Sequence, residues 1–232
     1  MTDYVIAPAV QPSLAIAGQS ARFPIRRVYC VGRNYSEHAR EMGHDPDREP
    51  PFFFGKPNDA VVPAEGVIAY PPLTADLHYE VELVVALAQG GRNIPVQQAL
   101  AHVWGYTVGV DLTRRDLQAQ AKKAGRPWDF AKGFDHSAPA APLLPVAQIG
   151  HPESGSIWLD VNGQARQRGD LSDQIWPVAD VISYLSQSVE LQAGDLIFTG
   201  TPAGVGAIVP GDEISGGIAG VGQFSFTLGQ PE

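Results

Sequence analysis

Apolar and polar residues along this chain hold a helical period only in short windows, and most apolar positions fall in brief runs bounded by glycine or proline. Runs of this kind read as strands. The first core strand is expected at 28–31, followed by a short helix over 36–42 with Ser36 as its cap; the proline-flanked stretch 50–57 then ends that helix. Residues 79–88 and 103–110 follow as strands rich in β-branched and aromatic side chains. The clearest helix runs over 113–123, with Thr113 as cap and Asp116 in a capping-box-like position, and Gly125 and Pro127 stop it. A proline-rich connection spans 138–152. Beyond it, the strand 157–161 and the pair Asn162-Gly163 signal a hairpin with a type I′ turn. A short helix at 180–187 and strands at 196–198 and 223–228 complete the pattern. Residues 1–24, with Pro8, Pro12 and Pro24, read as an N-terminal appendage packed on one domain that fills 25–232.

Composition sharpens this picture. A chain of 232 residues that is 44% hydrophobic can bury one sizeable core, and 25 glycines and 20 prolines favour many short strands joined by tight turns. A β-rich α+β fold is therefore expected. The single cysteine, Cys30, lies in an apolar strand run, which rules out an intrachain disulfide and a cysteine-rich zinc site. The formal charge of −9 is spread along the chain, which argues against nucleic acid or an anionic membrane surface as a partner. The sequence has no run resembling a membrane helix and starts without a leader pattern, so a cytoplasmic location is expected.

The candidate chemistry centres on carboxylates. In Tyr79-Glu80-Val81-Glu82-Leu83 the period of two places Glu80 and Glu82 on one face of a strand, with Val81 and Leu83 on the other. If the pair is sheltered, its repulsion is relieved by a proton or a cation. Asp111, at the end of the next strand, can supply a third oxygen, and such a set suits Mg²⁺ or Mn²⁺. The same pair could instead line the wet face of an antiparallel strand. His78 shares that face and would suit an iron site only with a second histidine that the sequence does not place, so it reads as a supporting or core residue.

Several further features bear on the chemistry, most of them open to two readings. His38 and Glu41 are neighbours if 36–42 is helical, and form either a base for a water proton or a surface ion pair. Lys132 sits among apolar and aromatic residues, either to neutralise a substrate anion or to snorkel to the surface. The glycine-rich segment 200–206 lacks the ending of a phosphate loop, but its amides and Thr201 could approach a small anion, joined by Arg33 and Lys56 unless these are ordinary surface charges. Arg114, Arg115, Lys122 and Lys123 read as the solvated face of their helix.

Taken in order, Val31-Gly32-Arg33-Asn34-Tyr35 with His38 and Glu41, Gly55-Lys56-Pro57, Tyr79-Glu80-Val81-Glu82, Gly109-Val110-Asp111, Lys132-Gly133-Phe134-Asp135 and Thr199-Gly200-Thr201-Pro202 resemble the fumarylacetoacetate hydrolase family from about residue 26 to residue 228. The resemblance implies a mixed β-sandwich roll, a homodimer, and Mg²⁺ or Mn²⁺ held by Glu80, Glu82 and Asp111. It further implies catalytic roles for His38, Glu41 and Lys132, and ligand contacts for Gln118 and Thr201; Arg33, near a predicted strand end, is a substrate-binding candidate beside them. Lys-Gly-Phe departs from the Lys-Ser-Phe common in relatives but keeps the lysine. The implied reaction is hydrolysis of a carbon–carbon bond in a small anionic 2,4-dioxo acid, fumarylpyruvate foremost, in gentisate-type aromatic breakdown. Acylpyruvase or oxaloacetate decarboxylase activity, isomerisation or decarboxylation of a hydroxymuconate-type diacid, and last a non-enzymatic metal-binding role are the alternatives.

Overall fold

The computed structural model describes residues 3–36 and 50–231. Among these, an eight-stranded mixed sheet forms the centre. Its strands lie side by side in the order Phe52–Lys56, Val28–Gly32, Leu196–Phe198, Val81–Leu87, Val103–Val110, Ala138–Ala140 and Val61–Pro63, with Leu144–Pro145 also pairing on Val103–Val110. Two of the pairings, Leu196–Phe198 with Val28–Gly32 and Ala138–Ala140 with Val61–Pro63, are parallel, whereas Val81–Leu87 runs antiparallel to both of its neighbours. Every residue of Val81–Leu87 is buried. A strand covered on both faces shows a continuous apolar run in place of alternation.

The two faces have separate cores. Val81, Leu83, Val85 and Leu87 pack toward a five-stranded sheet that contributes Ile157, Leu159, Ile214, Phe226 and Leu228, and toward the helix Val178–Ser188, which contributes Val181, Ile182 and Leu185. On the opposite face Val84 and Ala86 join Val28, Cys30, Leu196 and Phe198. Leu14, Ile16 and Phe23, from around the short hairpin Ser13–Ala15 with Arg22–Pro24, cover this second face. The N-terminal residues thus close one side of the core. This arrangement of curled sheets is the β-rich roll expected from the sequence.

The hairpin Ser156–Val161 to Gln164–Asp170 turns through Asn162 and Gly163, both at positive φ, as the type I′ signal requires. Two local expectations need correction. The helix begins at Arg115 and not at Thr113, because Thr113 and Arg114 pair antiparallel with Leu77 and His78; no described side chain caps it. Asp116 instead accepts hydrogen bonds from Thr74 Oγ1, Ala75 N and Leu117 N. The stretch after Pro50 is also more than a helix breaker, since Phe52–Lys56 forms an edge strand against Val28–Gly32. The expected helix over 36–42 lies outside the described residues except for Ser36.

Candidate metal centre

The central strands put three carboxylates at one end of the sheet. Glu82 lies on the Val84 and Ala86 face of its strand, opposite Gly109. Glu80 occupies the break between Leu77–Tyr79 and Val81–Leu87, where its carbonyl accepts from Asp111 N at 2.8 Å. That backbone bond holds Asp111 beside Glu80 as Val103–Val110 ends. Glu80, Glu82 and Asp111 are all buried, and one carboxylate oxygen of each lies within 4.8 Å of the others.

Cations bracket this cluster. Lys132 Nζ donates to Glu80 Oε2 and Asp111 Oδ2, each at 2.8 Å. Lys56 Nζ pairs with Asp111 Oδ1 at 2.8 Å and also donates to the carbonyls of Leu112 and Lys132. Arg115 reaches Glu80 Oε1 at 2.5 Å and Gln118 Oε1 at 2.7 Å. Glu82 has the least support: Gly200 N donates to its Oε2 at 2.7 Å. Burial, then Asp111 and Glu80, push Glu82 well above the usual carboxyl range. For Lys132 burial alone would lower the ammonium, but Asp111 and Glu80 outweigh it and raise it. Three buried carboxylates whose oxygens converge, one of them strained by its neighbours' charge, are a donor set that a divalent cation fits.

Above the carboxylates opens a pocket lined by Arg33, Phe52, Phe54, Gln118, Lys122, Trp128 and Thr201. Phe52 and Phe54 pack on Trp128 and form its aromatic wall, and Lys132 Nζ sits 5.0 Å from the Phe54 ring. Arg33, at φ 58°, holds its guanidinium 5.1 Å over Phe52. Thr201 Oγ1 accepts from Gln167 Nε2, and Gln167 Oε1 in turn accepts from Val81 N, so the glycine-rich loop is tied to the metal-side strand.

The structure therefore brings Glu80, Glu82, Lys132, Arg33, Gln118 and Thr201 to one pocket, with Asp111 buried behind them beside Glu80 and Lys132, while His38 and Glu41 lie outside the described residues. His78 is half-buried and bonds Asp76 at 2.9 Å; it is not one of the converging carboxylates, but its Nδ1 accepts from Arg115 Nε at 3.4 Å, which supports it as a neighbour of the cluster. Lys56 and Arg115 emerge as direct partners of the carboxylates. The reading of Arg115 as solvated face is corrected here, as is that of Arg114, which is buried with its guanidinium 4.4 Å over the Phe134 ring; of the two readings of Lys56, burial excludes ordinary surface charge. The signal for Lys56 was its place behind three phenylalanines and before Pro57; Arg115 carried none that distinguished it from its basic neighbours.

A profile of the family described as fumarylacetoacetate (FAA) hydrolase C-terminal matches residues 27–228. The chain belongs to this family. Among solved structures, it is 53% identical to the fumarylpyruvate hydrolase of Pseudomonas aeruginosa in complex with Mn²⁺ and pyruvate, with a TM-score of 0.97 over 98% of this chain and 100% of that one. A Burkholderia cenocepacia chain provisionally assigned as a fumarylpyruvate hydrolase is 62% identical, with a TM-score of 0.94 over the whole of both chains. Human oxaloacetate tautomerase FAHD1, mitochondrial, is 41% identical over 207 residues, covering 89% of this chain and 93% of the relative. Membership of the fumarylacetoacetate hydrolase family fits the roll and the acidic cluster alike. No helix among the described residues is long and apolar enough to cross a membrane.

Proposed function

We propose that this chain is a divalent-metal-dependent hydrolase that cleaves fumarylpyruvate to fumarate and pyruvate, a step suited to gentisate-type aromatic breakdown. The observation that carries this reading is the buried triad Glu80, Glu82 and Asp111, bracketed by Lys56, Lys132 and Arg115 at the floor of a pocket. The Pseudomonas relative with Mn²⁺ and pyruvate, more than half identical over nearly the whole chain, supports it.

The triad would hold Mg²⁺ or Mn²⁺, which polarises the carbonyl oxygens of a 2-oxo acid when bound. Gln118 and Thr201 line the space the oxo acid would fill, and the aromatic wall of Phe52 and Trp128 excludes water from its flank. Glu41, acting through His38, takes a proton from water, and the water oxygen attacks the carbonyl of the fumaryl group, the one farther from the oxo-acid carboxylate. The bond between that carbon and its methylene neighbour then breaks, and its electron pair leaves as the enolate of pyruvate. Lys132, buried and charged beside the triad, offsets the negative charge of that enolate until it takes up a proton.

A second reading, oxaloacetate chemistry, is favoured by the human tautomerase relative and uses the same floor without water attack at a second carbonyl. One assay separates the two. Loss of the near-ultraviolet enol absorbance of fumarylpyruvate is followed with Mg²⁺ or Mn²⁺, beside pyruvate release from acetylpyruvate and oxaloacetate, with and without chelator. Fast, chelator-sensitive cleavage of fumarylpyruvate is expected. Oxaloacetate turnover without fumarylpyruvate cleavage would move the assignment to the second reading, and no turnover of any of the three would remove both.

A further inference from the structure

The helix Arg115–Ala124 presents Arg115, Gln118 and Lys122 to the pocket. These positions, three and then four residues apart, follow one stripe of a helix, so the stripe leads outward from the carboxylates to the mouth over about two turns, roughly 10 Å. The side chains along it are employed differently. Arg115 is bound to Glu80, and Gln118 is buried and bound to Arg115. Lys122 is exposed and makes no hydrogen bond or ion pair with any described residue. A lysine on the open face of a helix ordinarily gains from an acidic residue a turn away, and none is placed there: the helix holds a single carboxylate, Asp116, which bonds Thr74 and Ala75. Lys122 instead faces like charges. Partial burial, then the nearby Arg33 and Arg115, lower its ammonium. A lysine at a pocket mouth, crowded by like charges and bonded to no carboxylate among the described residues, is a place for a ligand anion.

We propose that Lys122 is the specificity-determining residue that receives the far carboxylate of a dianionic acylpyruvate whose oxo-acid end lies at the carboxylate floor. The inference rests on the function proposed above and deepens it. Between floor and mouth the substrate passes the rings of Phe52 and Trp128, which suit a flat, conjugated acyl group such as fumaryl. A substrate with its second carboxylate close to its oxo group does not span the distance to Lys122, and one with a methyl end brings it no charge. The site thus selects by both length and charge.

The test compares fumarylpyruvate with acetylpyruvate in the wild type, Lys122→Met and Lys122→Arg, with the melting temperature of each variant checked first. In Lys122→Met the ratio of kcat/KM for fumarylpyruvate over acetylpyruvate should fall by about tenfold or more, the size of one charge-assisted hydrogen bond, chiefly through KM. Lys122→Arg should restore most of it. With acetylpyruvate as substrate, inhibition by added fumarate should weaken in Lys122→Met by a similar factor. An unchanged ratio, or equal losses on both substrates, would overturn the role of Lys122 while leaving the hydrolase reading intact. Failure of the wild type to cleave either acylpyruvate would overturn the hydrolase reading and this inference with it.

Discussion

At the floor of the pocket, Glu80 and Asp111 lie buried against Lys56, Lys132 and Arg115, and Glu82 lies buried beside them with the Gly200 amide as its partner. At the mouth, Lys122 stands in solvent two helical turns away, on a helix anchored through Arg115. Both ends carry positive charge, but water screens only the mouth. Buried charges that lose a partner cannot be rescued by solvent, so the floor is costly to alter and sets whether chemistry occurs at all. Solvated charges act weakly on stability and serve to choose among ligands.

The largest effect is expected where the floor loses a cation. Lys56→Met leaves Asp111 Oδ1 without its buried partner, and the metal-free protein should lose about 3–5 kcal/mol, read from the shift of its urea midpoint. A midpoint within error of the wild type would show that floor and mouth are not as different as burial implies.

A smaller change tests how the glycine-rich loop supports Glu82. Gly200 has φ +96°, and a Cβ there would come within 2.7 Å of Asn34 Cβ. Gly200→Ala should therefore cost about 1–3 kcal/mol through backbone strain and disturb the amide bond to Glu82. Its thermal unfolding and its metal affinity should fall together. Loss of stability with metal affinity intact would separate the loop from the site.

Acidity sharpens the contrast further. Burial, Asp111 and Glu80 raise Glu82, so in the metal-free protein its protonation stabilises the fold below the ordinary Glu range, and that contribution is lost as pH rises through its raised value. A cation needs the deprotonated carboxylate, so metal affinity should climb with pH over the same window, by up to about tenfold per unit, with proton release on binding. The gap in melting temperature between metal-loaded and chelated protein should widen accordingly. A gap constant with pH would contradict the assigned protonation of Glu82. The smallest stability effect belongs to Lys122→Met, whose unfolding free energy, read from the urea midpoint, should change by less than about 0.5 kcal/mol; a larger change would mean that the lysine packs as part of the fold.

The sequence was most legible where chemistry and strand period coincide. The two-residue spacing of Glu80 and Glu82 and the strand end at Asp111 were enough to predict a shared face, because neighbouring antiparallel strands bring a break and an end together. The helix start was misread at Thr113, since the pairing of Thr113 with His78 comes from a strand far away in sequence and leaves no local mark. Basic residues were misread for a related reason. Arg114 and Arg115 look like surface charges until the fold closes over them, and only their tertiary partners, Phe134 and Glu80, distinguish them from Lys123; Lys56, left open between two readings, is decided by its partner Asp111. His38 and Glu41 rest on their spacing in the sequence and on the resemblance, as they lie outside the described residues.

The most direct test of the floor is a Mn²⁺ titration of metal-free protein, followed by the electron paramagnetic resonance of the free ion, for the wild type and Glu82→Gln. The account predicts one tight site per wild-type chain and a loss in Glu82→Gln exceeding the roughly 10–100-fold typical of residues that only support a ligand. Absence of a tight site in the wild type, or undiminished binding in Glu82→Gln, would contradict it.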